Sequence, residues 1–301
     1  MRENARRESL QDALRLIEPD SDGLSKAVPL QDQVAVVTGA GRGIGRAIAE
    51  ALSAAGAAVA IASRSEHELA DVVGSIEAVG GVALPVVADV TDRAAVERLL
   101  RETEKRLASP TLLVNNAGTW GQVGPLEHAD PEIWWRDVEV SLRGAFLCAR
   151  GVLPAMRDRG RGRIVNVSSY AAIAPRPYAS AYASAKAALI RMTDSLQAEL
   201  AGSGVCAFAV SPGFVATTLV EGVAASEAGR RYLPQLAERT DTVDPAETGR
   251  LVVQIASGKL DPLAGRFLHV LDDVDDLLRR LDEIEGDDLY TLSLRRLEAL
   301  E

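Results

Sequence analysis

The segment YASAYASAK, residues 178–186, sets two tyrosines ahead of a lysine that has no other lysine near it in the chain. Tyr182 precedes Lys186 by four residues. Residues so spaced share one helix face, so the ammonium would lie near the phenol and form a proton-transfer pair. A phenol titrates near pH 10, and bringing it to neutrality takes roughly 4 kcal/mol. One cation about 4 Å away, at an effective dielectric of about 20, supplies an interaction of that size. The same spacing is common on ordinary helix surfaces. Alone it leaves open whether Tyr178, Tyr182 or neither is chemically active.

A second constellation narrows the chemistry. The apolar run QVAVVT (33–38) is followed at once by TGAGRGIG and then by the helical pattern RAIAEALSAAG. Glycines between a strand and a helix let the backbone approach a pyrophosphate, whose charge meets the free N–H groups of the helix start. A bare βα turn without ligand is the alternative.

The spacing TGxxxGxG resembles the short-chain dehydrogenase/reductase family, and the likeness extends over roughly residues 32–271. DVT (89–91), NNAG (115–118) and SPGFVAT (211–217) match further family motifs in order, each after a predicted strand. The resemblance implies cofactor contacts at Thr38, Gly39, Arg42, Gly43, Ile44 and Gly45, at Asp89 and Val90, and at Asn116, Ala117 and Gly118. It extends them to Pro212, Gly213, Val215 and Thr217, with Tyr182 and Lys186. It also implies that the catalytic Tyr lies four residues before a Lys and thirteen after a Ser, which selects Tyr182, Lys186 and Ser169. Ser168 is one residue off, and Tyr178 has no lysine four residues on and falls to the pocket rim. In this scheme Tyr182 donates a proton to a carbonyl oxygen held by Ser169, and Lys186 binds the nicotinamide ribose. One position departs: Ser141 stands where the family has an Asn that holds a water beside the Lys. That puts the proton path in doubt and admits a cofactor-sensing protein without turnover as a rival reading.

The end of strand two sets the cofactor. An acidic residue there would accept from a ribose 2′-hydroxyl, but the sequence reads AIASRS, with Ser63 and then Arg64, and Arg42 lies in the glycine turn. Two guanidiniums and no carboxylate favour a 2′-phosphate, hence NADP(H), with NAD(H) as the alternative. The substrate pocket is expected from Thr119, Trp120, the stretch YAAIAPRPY and the segment after Phe214. These are mainly apolar, with Arg176 the exception, and suggest a hydrophobic ketone or its alcohol. Trp134 and Trp135 read as helix-packing residues.

The elements that must position these groups follow from hydrophobic patterning. Seven short apolar runs, at 33–38, 57–62, 82–88, 111–116, 163–168, 205–210 and 266–271, alternate with helical stretches. Continuous rather than alternating apolar runs suit strands buried on both faces. The fold class is therefore α/β, a Rossmann-type doubly wound parallel sheet of about seven strands in one catalytic domain, residues 31–271. A helical extension, residues 1–30, precedes it, with Leu10, Ala13, Leu14 and Ile17 on one face. A helical tail, residues 272–301, follows, with Val274, Leu277, Leu278, Leu281 and Ile284 at helical spacing. The family likeness implies a homodimer or homotetramer built on the 132–158 segment and the Tyr182 helix. The tail is expected to cover the pocket, meet a neighbouring subunit or pair with the N-terminal helix.

Composition excludes other classes. With 47% hydrophobic and 25% charged residues among 301, the chain has ample core. A net charge of −10 argues against nucleic acid. Cys148 and Cys206 have neither disulfide nor zinc spacing, and the tail carboxylates lack calcium-loop spacing, so no metal is expected. The apolar run 47–62 carries Glu50 and Gly56 and reads as helix, turn and strand, not a membrane span. The charged N-terminus lacks a signal peptide's apolar core, and together these features suit a cytoplasmic enzyme.

Overall fold

The computed structural model describes residues 30–293, so the N-terminal helix expected near Leu10–Ile17 lies outside the described residues. Seven strands form one sheet: β1 (Val34–Thr38), β2 (Ala58–Ser63), β3 (Val82–Val87), β4 (Leu112–Asn115), β5 (Gly162–Val167), β6 (Val205–Ser211) and β7 (Phe267–His269). All pairings are parallel, in the order β3-β2-β1-β4-β5-β6-β7. The direction of strand addition reverses between β1 and β4. A crevice opens at that point, outside the carboxyl ends of the strands.

Side-chain alternation along the strands feeds two cores, one on each face. Ala35 and Val37 of β1 join α1 (Gly43–Ala54), α2 (Glu66–Glu77) and the later helix α10 (Pro245–Ser257) through Ile48, Leu52, Val72 and Ile255. Val36 turns the other way, toward α3 (Arg93–Arg106) and α5 (Gly144–Arg159), where Leu99, Cys148 and Met156 are buried. Between them in sequence come α4 (Pro131–Val138) and a π-helical turn, Glu139–Arg143, which runs directly into α5. The Tyr182 helix is α6 (Ser180–Glu199), and α7 (Thr218–Ala225), α8 (Glu227–Tyr232) and α9 (Gln235–Glu238) follow β6.

β3 departs from the expected burial on both faces: its residues alternate between exposed and covered, and Pro85 sits within it. The cause is position. Among the described residues β3 pairs only with β2, and an edge strand tolerates a proline. The tail departs too. The single helix expected through 274–284 is broken at Arg280 into α11 (Val274–Arg279) and α12 (Leu281–Gly286). Leu277 and Ile284 are buried in the chain's own core, and the Phe267 N–H donates to the Tyr290 carbonyl at 2.8 Å. Thus the described tail packs on the sheet's β7 end.

The turn after β1 depends on glycine at two points where side chains are excluded. Gly39 has φ +63°, in the left-handed region. A Cβ on Gly45 would lie 2.2 Å from the Gly39 carbonyl oxygen and 2.4 Å from Asn116 Nδ2. Gly45→Ala should therefore cost about 1–3 kcal/mol of stability by overpacking, read as a lower urea midpoint at unchanged slope; an unaltered midpoint would show that the turn has room to move.

Candidate active site

Thr38, at the last position of β1, is 1% exposed and does not line the crevice. Its hydroxyl accepts from the backbone N–H groups of Asn116 and Ala117 at 3.1 and 3.2 Å and donates to the Val114 carbonyl at 3.3 Å. Asn116 answers with Nδ2 bonds to the carbonyls of Thr38 and Gly39 at 3.0 and 3.1 Å. The predicted contact at Thr38 is thus a structural tie joining the turns after β1 and β4. Asn115 points the other way and donates to Asn166 on β5 at 2.9 Å.

Above this tie lies a cavity of about 390 Å³. Gly39, Arg42, Gly43, Ile44 and Gly45 line it together with Asn116, Ala117, Gly118, Pro212 and Thr217. Arg42 stands at the N-cap of α1 with no side-chain cap, and no acidic residue occupies the first turn. By contrast, α2 and α3 are capped by Ser65 and Asp92. A helix start left open beside a glycine turn is an anion cradle, so the residues present fit a dinucleotide pyrophosphate.

Ser63 and Arg64 line the same cavity, as expected, but an unforeseen carboxylate joins them. Glu68, from the first turn of α2, lies 3.3 Å from Arg42 and so close to Gly41 that a Cβ there would be 2.8 Å from its Oε2. The expectation of two guanidiniums and no carboxylate is corrected accordingly. Its sequence signal, a Glu three residues after the Ser65 cap, reads only as a helix start. Asp89 lines the same cavity with Val90, paired to Arg136 of α4 at 2.6 Å. Against the upward push of burial, hydrogen bonds from Thr91 and the Arg136 guanidinium hold the Asp89 carboxyl below its usual range. Arg136 was not foreseen, because nothing within α4 marks it.

α6 brings Tyr182 and Lys186 to the crevice. Lys186 is buried, and its Nζ donates to the Val167 carbonyl at 2.7 Å, while its own carbonyl accepts from Ser168 Oγ at 2.8 Å. Ser168 is therefore a structural clasp between β5 and α6. The expected lowering of the Tyr182 pKa by Lys186 is not found. Nζ stands 5.8 Å from the phenol ring centroid and is turned to a backbone carbonyl. Burial instead pushes the phenol up, with the Ser169 hydroxyl drawing it part-way back and the Asp137 charge adding to the rise. Burial brings Lys186 down to about 8. Ser141 lies in the π-helical turn, buried, with a hydroxyl that has no hydrogen-bond partner among the described residues. A Cβ on Gly118 would meet Lys186 Nζ at 3.4 Å and Ser141 Oγ at 3.5 Å, so both groups are aimed at one spot.

A second cavity, of about 440 Å³, adjoins the first. Ser169, Trp120, Gly213, Phe214 and Val215 line it, so Ser169, Gly213 and Val215 face this space and not the first. Tyr182 lines both, and among the described residues it is the one titratable side chain to do so. Tyr178, expected at the rim, lines neither cavity; it is half exposed, its ring 5.0 Å from that of Tyr232. Trp134 donates to Ser180 at 3.0 Å, whereas Trp135 is 59% exposed, contrary to the packing role expected of it.

Trp120 stacks on Tyr182 with centroids 4.8 Å apart and planes 16° from parallel. Asp137, 1% exposed, holds the loop that carries it by accepting from the N–H groups of Gly121 and Gln122 at 2.8 and 2.9 Å. Sequence reasoning missed Asp137, since its partners lie on another element.

Residues 33–228 match the short chain dehydrogenase family. The chain belongs to that family. A short chain dehydrogenase of Pseudocercospora fijiensis is 43% identical over 192 residues, 63% of this chain and 62% of the relative, so the match spans less than two thirds of that protein. The short chain dehydrogenase mpl6 of Monascus purpureus is 35% identical over 260 residues, 84% of this chain and 86% of the relative. A gluconate 5-dehydrogenase of Burkholderia cenocepacia, solved in complex with NADP and tartrate, superposes with TM-score 0.72 at 31% identity, covering 80% of this chain and 94% of that one. This short-chain dehydrogenase is an oxidoreductase of the NAD(P)-dependent kind. Among the described residues no helix is long and apolar enough to cross a membrane, and no group of residues is arranged to hold a metal.

The Trp120 stack covers the ring whose burial raises the Tyr182 pKa. Trp120→Ala should admit water and move the phenol's titration to lower pH, measured by NMR of Tyr Cζ with Tyr182→Phe for assignment, and Trp120→Phe should restore it in part. A titration unmoved by Trp120→Ala would mean that the indole does not shield the ring.

Proposed function

We propose that this enzyme reduces the carbonyl group of a hydrophobic small molecule, NADPH being the preferred cofactor and Tyr182 the proton donor. The position of Tyr182 carries the reading: it is the titratable wall shared by the dinucleotide cavity and the apolar cavity. Bound nicotinamide supplies the hydride. Burial keeps the phenol protonated at neutral pH, the state that an acid needs in the reducing direction. Ser169, which shares the wall of the second cavity with Tyr182, orients the carbonyl oxygen toward the phenol. Lys186 holds the ribose, and the Ser141 hydroxyl beside it provides a station for the proton that refills Tyr182. Pro212 and Thr217, which line both cavities, shape the wall against which the nicotinamide lies.

Arg42 and Arg64 recognise the 2′-phosphate, and Ser63 leaves room for it. Glu68 moderates that preference, because its carboxylate is paired with Arg42 and faces the same cavity. It also supports a second reading, use of NADH, since a carboxylate there accepts from ribose hydroxyls. Assembly as a homodimer or homotetramer is supported by Trp135 of α4 and Phe146 of α5, which are 59% and 50% exposed.

Tyr182→Phe should lower NADPH-dependent ketone turnover at least about 100-fold while leaving the dissociation constant for NADPH nearly unchanged. Cofactor binding without turnover in either protein would favour the sensing role. Separately, Arg64→Asp should weaken NADPH binding far more than NADH binding, and Glu68→Gln should tighten NADPH about 3–10-fold, the size of a partly screened charge contact. Equal effects on both cofactors would remove these residues from phosphate recognition.

A further inference from the structure

The apolar cavity holds one charge that the reduction of a plain ketone does not use. Three ionised side chains line it: Arg176, Arg239 and Asp241. Arg239 and Asp241 neutralise each other through two forked hydrogen bonds of 2.8 and 2.6 Å, and the Arg239 guanidinium lies 3.8 Å from the Phe214 ring centroid. His269 uses Nδ1 to accept from the Leu271 N–H at 3.1 Å. Arg176 is exposed and has no carboxylate partner among the described residues; its guanidinium stands 5.8 Å from the Tyr170 ring centroid. It sits between Pro175 and Pro177 in the loop that joins Ser169 to α6, so two fixed φ angles flank it. A chain of net charge −10 thus presents, at the solvent-exposed edge of its apolar cavity, a cation with no carboxylate beside it among the described residues.

We propose that Arg176 is a substrate-binding residue, and that the substrate is a keto acid, or the matching hydroxy acid, whose apolar body carries a carboxylate. One planar guanidinium without a counter-ion matches one carboxylate in charge and in fork geometry. A phosphate dianion would call for more donors than this wall offers. The apolar residues around it, Trp120, Phe214, Val215 and Leu236 among them, suit a ring or short chain between the acid and the carbonyl. This assignment rests on the reductase reading for the carbonyl and on Arg176 for the anion, and the two are separable.

The test compares 4-oxocyclohexanecarboxylate with its methyl ester as substrates of the full chain and NADPH. The wild-type enzyme should prefer the acid by about 10-fold or more in kcat/KM, with the difference in KM, as expected for binding alone. Arg176→Gln should bring the acid-to-ester ratio near one, and Arg176→Lys should recover part of it. A wild-type enzyme that takes the ester as readily, or an Arg176→Gln variant that lowers both equally, overturns the proposal. Calorimetry on the NADP-loaded protein gives a second readout, with cyclohexanecarboxylate against its carboxamide. Tighter carboxylate binding, lost in Arg176→Gln, supports the subsite even where no ketone turns over, and in that case the reductase reading is what fails. Equal binding of acid and amide overturns the subsite whatever the turnover.

Discussion

The two loops that make the crevice are pinned to each other by the Thr38 hydroxyl, with the Asn116 amide answering it. Thr38 takes two N–H groups from the turn after β4 and returns its proton to the carbonyl of Val114. Because the strand order reverses between these same two strands, the pin acts where the sheet would otherwise splay. It fixes the glycine turn, and with it the open start of α1, relative to Gly118 and the Lys186 ammonium. Gly39 and Gly45 follow as consequences, since the backbones meet so closely that only hydrogen fits.

Charge is distributed against the overall balance of the chain. The surface carries the acid excess, while the dinucleotide cavity gathers Arg42, Arg64, Arg136 and Lys186 against Glu68 and Asp89. Burial separates the two groups on α6: the same withdrawal of water that raises the phenol brings the ammonium down. Each is moved toward its neutral form, and a positively charged ring bound beside them would move the phenol back.

Much of this was legible in the chain because the signals were local. Apolar runs marked all seven strands, glycine spacing marked the turn, and the family resemblance singled out Tyr182 and Lys186 where their interval of four residues alone did not. What escaped was tertiary. Glu68 reads as an ordinary helix-start acid until α2 is set beside the glycine turn, Arg136 acquires meaning only across from Asp89, and Asp137 only beneath the Trp120 loop. The Lys186 ammonium was expected at the phenol; a backbone carbonyl at the end of β5 claims it instead. Edge position made β3 alternate, and the tail lost helical continuity at Arg280 where it folds back onto the sheet.

That returning tail bears on how the molecule is made. β7 is three residues long, and its outer edge is met by the carbonyl of Tyr290 through the Phe267 N–H. Until the ribosome has released residue 290, the sheet of the growing chain ends in an unpaired edge, the kind of surface on which strands of neighbouring molecules pair. Protection of that edge against aggregation therefore comes only after all seven strands are made, and a chain halted just after β7 would carry a complete cofactor crevice beside an open seam.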